Sequence, residues 1–466
     1  MPSGAPKEQA AGADRATPRI SQVPYRGGVR RARCAASNPF LHWDRNPDMK
    51  SIAVIGGGIT GVTSAYALAR RGLDVTLFER HRYPAMETSF ANGGQLSASN
   101  AEVWNSWGTV AKGLKWMLRS DAPLLVNPRP DWHKLSWFAE FLAAIPRYEA
   151  NTVASARLAI AARQHLFGWA REEGIQFDEK QQGILHIYRD KAGFEHAAQV
   201  SKLLAQGGLQ RRAVTPLEMQ AIEPTLAGRF YGGFFTESDS TGDIHKFTVG
   251  LAQAAQARGV QMLCGADVRR LEAGEDGTRV AFAIDGVEEA RRFDAVVVCA
   301  GTASRAFAAM LGDRVNVYPV KGYSITVMLD DAASRASAPN VSLLDDATKL
   351  VSSRLGADRF RVAGTAEFNG FNRDIRADRI APLVQWVQQC FPGVSTRQVV
   401  PWAGLRPMMP DLMPRVGPGK RPGVFYNTGH GHLGWTMSAA TADLIAGQVQ
   451  AALESGVQRR RAVLAA

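Results

Sequence analysis

SIAVIGGGITGVTSAYALARRGLDVTLFER, residues 51–80, is the stretch of this 466-residue chain that decides its fold. Residues 52–55 predict an apolar strand, and the glycine turn at residues 56–61 leads from it into a helix of apolar periodicity. A second predicted strand ends on Glu79. A GxGxxG motif that follows a strand, opens a helix and is followed by an acid predicts a dinucleotide site, whereas the bare motif is common by chance.

The residues of this turn have separate physical roles. Gly56 makes the tight turn, Gly58 lets the backbone approach a pyrophosphate at the helix N-terminus, and Gly61 lets helix and strand pack closely. Glu79 lies where a carboxylate accepts both hydroxyls of an adenosine ribose, and its charge argues against NADP. The alternative is a turn without a ligand. The candidate dinucleotide-binding residues are Ile55, Gly56, Gly58, Ile59, Thr60, Gly61, Glu79 and Arg80.

The composition is typical of a globular protein with more than one domain. A chain of 466 residues exceeds one ordinary core, so two domains are expected. No apolar run in the sequence approaches the roughly 20 residues of a membrane-spanning helix. The four cysteines show no CxxC spacing, which indicates a reducing compartment without a disulfide framework or a metal cluster.

The net charge of +12 is concentrated at the two ends of the chain. Residues 1–48 hold eight Lys/Arg against four Asp/Glu, and residues 459–461 add three arginines. The body between them shows no basic face interleaved with aromatic side chains, so a nucleic-acid partner is not expected.

Residues 1–48 lack both hydrophobic periodicity and the apolar region of a secretory signal, and predict a disordered N-terminal extension. Met49 directly precedes the first strand and is the expected natural first residue, with a targeting tail as the alternative. Residues 456–466 are predicted to form a basic tail.

Three glycine turns, each after an apolar strand, are spread along the chain near residues 56, 301 and 429. If the three strands belong to one parallel sheet, their carboxyl ends lie together, where open α/β sheets bind ligands. One long cofactor could then touch all three turns. Because such segments come from both ends of the chain, FAD is favoured over NAD.

Between these turns the pattern predicts mixed elements. Helices are expected near residues 153–173, 246–258 and 436–453, and residues 314–404 are β-rich with one helix near 378–390. Five tryptophans between residues 104 and 137 predict helices that pack an aromatic face onto the body. The alternative for this segment is a lid or a membrane-surface contact with lysines on the polar side.

Further motifs make a family resemblance specific. The chain resembles the FAD-dependent amine oxidoreductases related to D-amino acid oxidase, and most closely the bacterial D-amino acid dehydrogenase small subunits. The motifs are the residue 51–80 fingerprint, TSFANGGQLS at 88–97, TGD at 241–243, PVKGY at 319–323, WAGLRP at 402–407 and NTGHG at 427–431. TSFANGGQLS is the most specific, because a generic dinucleotide-binding protein has no reason to carry it.

The resemblance implies an α/β fold in which a Rossmann-type FAD-binding domain carries an inserted antiparallel β-rich substrate domain. It implies an FAD-binding domain at residues 49–99, 150–180, 240–305 and 405–455, and a substrate domain at 100–149, 181–239 and 306–404. No cysteine stands near residues 408–415, where relatives attach flavin, so the FAD is expected to be non-covalent.

The resemblance also implies an activity. A D-amino acid is oxidised by hydride transfer from Cα to flavin N5, and the imino acid is hydrolysed to a 2-oxo acid and ammonia. The electrons pass to a respiratory acceptor, either a quinone or an electron-transfer protein. The protein is expected in the cytoplasm, with a peripheral contact to the inner face of the membrane.

The site residues follow by position. Arg406 matches a carboxylate-binding arginine, because a guanidinium offers a carboxylate two donors, and Tyr323 is expected to donate to the same carboxylate. No metal ligands are predicted. The further candidate cofactor-binding residues are Ser89, Asn92, Gly93, Gly94, Gln95, Leu96, Val268, Ala300, Gly301, Gly429, His430, Gly431, His432 and Leu433.

Two other activities fit the same residues. One is an oxidase or dehydrogenase of glycine, sarcosine or a cyclic imino acid such as proline or hydroxyproline. The other is a non-catalytic FAD-binding subunit of a larger complex. Since amine deprotonation can be left to solvent, His430 and His432 are expected to be structural rather than catalytic.

Overall fold

The computed structural model describes residues 49–116 and 122–465. Its helices are α1 Ile59–Ala69, α2 Trp107–Trp116, α3 Trp132–Ala143, α4 Tyr148–Glu172, α5 Lys191–Gln206, α6 Pro216–Ile222, α7 Ile244–Ala257, α8 Ser304–Met310, α9 Ala332–Ser337, α10 Ala377–Cys390 and α11 Gly434–Ala465. Short 3-10 turns lie at Ala98–Asn100, Ile145–Arg147, Gly301–Ala303 and Gly431–Leu433.

The described part of the chain also contains twenty strands. They are β1 Ser51–Ile55, β2 Asp74–Glu79, β3 Gln95–Leu96, β4 Leu124–Val126, β5 Ile184–Tyr188, β6 Arg212–Val214, β7 Gly232–Thr236, β8 Ser240–Thr241, β9 Gln261–Cys264, β10 Asp267–Gly274, β11 Gly277–Ile284, β12 Val287–Phe293, β13 Ala295–Val298, β14 Tyr318–Met328, β15 Ser342–Asp345, β16 Leu350–Leu355, β17 Arg359–Phe368, β18 Val399–Met408, β19 Arg415–Pro418 and β20 Val424–Thr428.

A six-stranded sheet in the order β19-β20-β13-β1-β2-β9 holds the three glycine turns together. β20, β13, β1, β2 and β9 run parallel, and Ile55 pairs with Val298, which pairs with Tyr426. β1, β13 and β20 are fully buried, as expected for apolar strands covered on both faces of a parallel sheet. The prediction that the three turns meet at one edge is confirmed.

Two layers cover this sheet. Helices α1, α7 and α11 pack on one face around Val62, Leu251 and Ile445. The antiparallel sheet β10-β11-β12 packs on the other face through Leu271 and Phe282.

A second, nine-stranded sheet has the order β18-β14-β17-β16-β15-β5-β7-β6, and β4 pairs with β17. Helix α10 packs on one of its faces around Leu383 and Val387, together with Ile325 and Leu343 of the sheet. Most neighbouring strands are antiparallel, as expected, but β5 with β15 and β4 with β17 are parallel. The strands of each parallel pair are far apart in the chain and are not joined by a hairpin, which is the connection that would impose the antiparallel direction.

Other segments differ from the sequence expectations. The α11 backbone continues to Ala465 through most of the expected basic tail, while residues 1–48 lie outside the described residues. β18 crosses position 404, where a domain boundary is predicted, and the division into two domains stays a prediction. Cys264 is disulfide-bonded, against the expectation of unlinked cysteines, whereas Cys299 and Cys390 are free.

The tryptophan-dense segment divides into buried and exposed side chains. Trp137 is buried and stacks on Phe141 at 5.4 Å between ring centroids, in line with the packing interpretation. Trp107 and Trp132 are 68% and 80% exposed. Within residues 49–116 and 122–465, no helix is long and apolar enough to cross a bilayer.

Candidate active site

A cavity of about 410 Å³ lies where β1, β13 and β20 end, and we call it the first cavity. Parallel strands bring their carboxyl ends to the same edge, so the turns after them share one space. The predicted residues on its wall are Ile55, Gly56, Gly58, Ile59, Thr60, Glu79, Arg80, Ser89, Asn92, Val268, Ala300, Gly301, Arg406, Gly429, His430, Gly431 and His432.

The glycines of the first turn are required by close packing. Gly56 has a φ of 108°, and a Cβ there would lie 2.7 Å from the carbonyl oxygen of Cys299. A Cβ on Gly61 would overlap the carbonyl oxygen of Gly56. Gly61 therefore lets α1 pack on its strand, which is the packing role predicted for it. It does not line the first cavity, so the expectation that it also contacts the cofactor is corrected.

The N-terminus of α1 opens onto the first cavity. Its first residue, Ile59, donates its backbone N–H to Ser89 Oγ at 3.0 Å, and the N-cap residue Gly58 has no side chain to cap the remaining groups. Free N–H groups and the helix dipole make such an end an anion site. This geometry suits a pyrophosphate.

Glu79 is held as an acceptor at the other side of the turn. Its Oε2 accepts from the backbone of Gly57 at 2.7 Å, and its Oε1 accepts from that of His81 at 2.8 Å. Burial raises the pKa of the Glu79 carboxyl above its ordinary value. A Cβ at position 57 would lie 2.8 Å from Oε2, so Gly57, which the sequence analysis left out, is the glycine that admits this carboxylate.

A second cavity of about 300 Å³ adjoins the first. Thr88, Asn92, Arg406 and His432 line both, so the two spaces meet at these residues. The floor of the second cavity is one face of the nine-stranded sheet. Five floor residues come from five adjacent strands, and each is the direct pairing partner of the next: Ser324, Ala363, Val351, Leu344 and His186.

None of the four residues of the GGQL part of the specific motif lines the first cavity, where they are expected to face the flavin. Gly93 and Gln95 line the second cavity instead. Gly94 and Leu96 line neither: Gly94 has a φ of 75° and packs on Ser353, and Leu96 is buried in the core. The motif alternates between the cavities and the core because Gln95 and Leu96 form the short strand β3.

Arg406 is the cation at the junction of the cavities. Its Nη1 donates to the carbonyl of Thr365 at 2.8 Å and its Nη2 to that of Gly364 at 3.4 Å. No described carboxylate lies within ion-pair distance, and burial alone lowers the pKa of Arg406 to about 10. A buried guanidinium bonded to neutral carbonyls retains donors for an anion.

The Arg406 guanidinium has room because position 322 is glycine. Residues 322 and 404 are directly paired on β14 and β18, and a Cβ at 322 would overlap the guanidinium group. Thr365, whose carbonyl accepts from Arg406, has a φ of 60°, a strained value for a β-branched residue. Neither role is predicted from the sequence, although the PVKGY motif contains Gly322.

Tyr323 does not present its hydroxyl to Arg406, and this prediction is corrected. The hydroxyl donates to Glu367 Oε2 at 2.9 Å, and burial together with this bond raises the pKa of Tyr323. Successive side chains of a strand point to opposite faces. Since Gly322 faces Arg406, the next side chain enters the core under α10.

The histidines and Leu433 after β20 are packed rather than poised for proton transfer. Burial lowers the pKa of His430 to about 3, and burial with the Arg406 charge lowers that of His432 to about 4. The His432 ring stacks on Trp104 at 4.8 Å. Leu433 lines the second cavity, and its N–H, expected to face a flavin, donates to the His430 carbonyl at 3.2 Å.

Comparison with known proteins identifies the family. The model of the FAD dependent oxidoreductase family (DAO) matches residues 51–448. The chain belongs to this family. It is 63% identical over 398 residues to D-amino acid dehydrogenase 3 of Mesorhizobium japonicum, covering 85% of this chain and 96% of that protein. It is 42% identical to D-amino acid dehydrogenase of Paramagnetospirillum magneticum over 87% of this chain and 97% of the relative.

Solved structures share the fold at low identity. Glycine oxidase from Geobacillus kaustophilus matches with a TM-score of 0.68 at 19% identity, over 86% of this chain and 95% of the other. L-proline dehydrogenase from P. horikoshii matches with a TM-score of 0.66 at 17% identity, and the match covers 86% of this chain and 93% of the other. The expected Rossmann-type flavoprotein fold is confirmed.

The residues of the first cavity fit FAD, the cofactor of this family. The helix N-terminus and the Glu79 carboxylate suit a pyrophosphate and a ribose. His430 Nδ1 and Trp435 Nε1 belong to wall residues, are buried, and have no hydrogen-bond partner in the described part of the chain. Buried polar atoms are normally satisfied, so these two indicate a polar ligand. Trp435 lies in none of the sequence motifs and was not predicted to line the site.

Proposed function

We propose that this protein is an FAD-dependent D-amino acid dehydrogenase that converts D-amino acids to 2-oxo acids and ammonia. The observation that carries the proposal is the 63% identity to D-amino acid dehydrogenase 3 over 96% of that protein. The junction of the two cavities at Arg406 supports it, because a carboxylate-binding cation there would hold an amino acid beside the cofactor.

Arg406 binds the substrate carboxylate in this proposal. A bidentate guanidinium–carboxylate pair fixes the plane of the carboxylate, and that orients Cα. Bound in the first cavity, FAD would supply a hydride acceptor for Cα, which is chemistry that amino-acid side chains do not supply. The contribution of the chain is to position the substrate and to exclude water.

No proton transfer by a histidine is assigned. With pKa values of about 3 and 4, His430 and His432 stay neutral at pH 7 and their burial opposes protonation. The substrate amine therefore loses its proton to solvent before binding. His432 instead closes the wall by stacking on Trp104.

We further propose that the electrons leave to a respiratory acceptor, a quinone or an electron-transfer protein, at the cytoplasmic face of the membrane. The exposed side chains of Trp107 and Trp132 support a contact with lipid, because indole rings favour the interface between membrane and water. Lys112 and Lys115, which are exposed on α2, add positive charge for an anionic membrane surface. Removal of both indoles should reduce co-sedimentation with anionic vesicles, whereas Leu217→Ala, at an exposed site on α6, should not.

Anaerobic flavin reduction tests the enzymatic proposal. D-alanine and other D-amino acids should bleach the flavin absorbance, whereas L-amino acids and sarcosine should leave it oxidised. In air, peroxide should form slowly compared with reduction of an artificial quinone. Bleaching by glycine or sarcosine alone, with stoichiometric peroxide, would contradict the proposal.

A further inference from the structure

His432 lines both cavities and lies at their junction with Arg406. Burial and the Arg406 charge lower the pKa of His432 to about 4, so its ring is neutral at pH 7. Its Nε2 lies 3.4 Å from the carbonyl oxygen of Asn100. A carbonyl oxygen can only accept, so Nε2 carries the single hydrogen of the neutral ring. The other ring nitrogen, Nδ1, is then a hydrogen-bond acceptor.

The Nδ1 atom of His432 is available to a ligand. It makes no hydrogen bond within the described residues, and it is not enclosed by protein atoms. Because the residue lines both cavities, the space that Nδ1 meets is the space where they join. An acceptor in such a place suits a ligand that brings an N–H or O–H donor.

Two contacts fix the orientation of this ring. One face stacks on Trp104, with 4.8 Å between ring centroids and 22° between the ring planes. The Asn100 carbonyl belongs to the 3-10 turn of residues 98–100, and the buried carboxylate of Asp239 holds this turn by accepting from the Ser99 N–H at 3.1 Å. The acceptor is therefore in position before a ligand binds, which lowers the entropic cost of binding.

The other side chains of the junction are engaged differently. Arg406 can only donate. The Thr88 hydroxyl donates to a backbone carbonyl at 2.8 Å, and the side-chain oxygen of Asn92 accepts from a backbone N–H at 2.9 Å. An α-amino acid with its carboxylate on Arg406 brings an amine donor on the adjacent carbon. His432 Nδ1 offers that amine an acceptor that the protein itself does not use.

We infer that His432 Nδ1 accepts a hydrogen bond from the substrate amine while Arg406 binds the carboxylate of the same molecule. The inference rests on the proposed function, since it takes Arg406 as the partner of the α-carboxylate. No proton is transferred in this contact. A guanidinium–carboxylate pair leaves rotation about the bond from the carboxyl carbon to Cα free, and a second contact at the nitrogen fixes it. The Cα–H bond is then held in one direction.

The test uses two flat ring acids of similar shape that carry no Cα–H to oxidise. Pyrrole-2-carboxylate has an N–H on the carbon that bears its carboxylate, and 2-furoate has an oxygen in that place. The N–H can donate to Nδ1, whereas the furan oxygen would leave Nδ1 unpaired. In titrations of the oxidised flavoprotein followed by flavin absorbance, pyrrole-2-carboxylate should bind at least tenfold more tightly than 2-furoate.

Three variants assign this preference to His432. His432→Phe keeps a flat ring against Trp104 without the acceptor, so the affinity ratio should come within threefold of one and kcat/KM for D-alanine should fall at least tenfold. His432→Asn, whose side-chain oxygen can accept, should give an intermediate ratio. His165→Phe is the matched control, because His165 also lies beside a tryptophan, Trp169, at 5.8 Å and lines neither cavity. Its ratio should equal that of the wild type.

The wild-type comparison does not depend on any variant folding. Equal affinities, tighter binding of 2-furoate, or an unchanged ratio in His432→Phe would overturn the assignment to His432, and bleaching by D-alanine would leave the proposed function standing. If no D-amino acid reduces the flavin, the proposed function fails, and the ring acids still decide whether an N–H acceptor lies beside a carboxylate site. If neither ring acid binds, Arg406 holds no carboxylate and the inference fails with it.

Discussion

Gly322→Ala should displace the Arg406 guanidinium, while Arg406 itself and its charge are retained. The new methyl group would overlap the guanidinium carbon and both terminal nitrogens. To restore an ordinary van der Waals separation, the guanidinium has to retreat by roughly 1 Å. Because it is the end of a flexible side chain, it can move while the β14–β18 pairing persists.

A displacement of this size is large on the scale of catalytic geometry. Misplacement by about 1 Å can lower a rate about 100-fold, which corresponds to about 2.7 kcal/mol of transition-state stabilisation. We expect kcat/KM for D-alanine to fall by about this factor, through both kcat and KM, with flavin content unchanged. Steady-state kinetics with a quinone acceptor and flavin absorbance per chain measure both quantities.

Two controls isolate the mechanism. Gly168→Ala adds a methyl group in α4 where no atom lies within 4 Å, and it should leave kcat/KM unchanged. The double variant Gly322→Ala/Arg406→Met should be no slower than Arg406→Met alone, because both changes remove the same interaction. Additive losses, or a Gly322→Ala enzyme within threefold of wild type, would refute the reasoning.

Three other changes test separate parts of the structure. Gly61→Ala places a methyl group against the Gly56 carbonyl. It should lower the free energy of unfolding by about 3 kcal/mol, measured by denaturation, and most of the flavin should be lost, measured by absorbance. The pKa of His430 is about 3 in the folded protein and about 6.5 in the unfolded chain. Between about pH 3 and pH 6.5 the unfolded chain therefore binds one more proton than the folded protein, and the free energy of unfolding falls as the pH falls. His430→Asn should flatten this slope by about 1.4 kcal/mol per pH unit between pH 4 and 6; equal slopes in urea unfolding would contradict the assignment. Thr365→Gly relieves a φ of 60° and should raise the unfolding free energy by about 1 kcal/mol, and a loss of stability would show that the threonine side chain matters more than the strain.

The sequence predicts the dinucleotide half of the site well because its signals are local. The strand–turn–helix pattern of residues 51–80 fixes Gly56 and Gly61, and the buried parallel strands bring Gly301 and Gly429 to the same edge. The fold and the cofactor follow from these residues, whereas the family follows from the further motifs, TSFANGGQLS above all.

The substrate side is less predictable, because it depends on strand register between distant segments. Tyr323 belongs to a recognisable motif, yet one step along β14 separates the face toward Arg406 from the face under α10. Arg211 lines the second cavity but lies in no motif, and its place beside Tyr188 depends on the pairing of β5, β6 and β7. Pairing of this kind cannot be read from residue types.

The insertion of β13 and β20 beside β1 has a consequence for synthesis. The first cavity takes residues from Ile55 to Trp435, so its wall is complete after nearly the whole chain has been made. At about 5–20 residues per second, the ribosome adds Trp435 roughly 20 to 75 s after it adds Ile55. Once β13 has been made, the strand edge that β20 later covers stays open to wrong pairing until β20 follows. FAD is thus a ligand of the finished chain and cannot nucleate the fold around itself during translation.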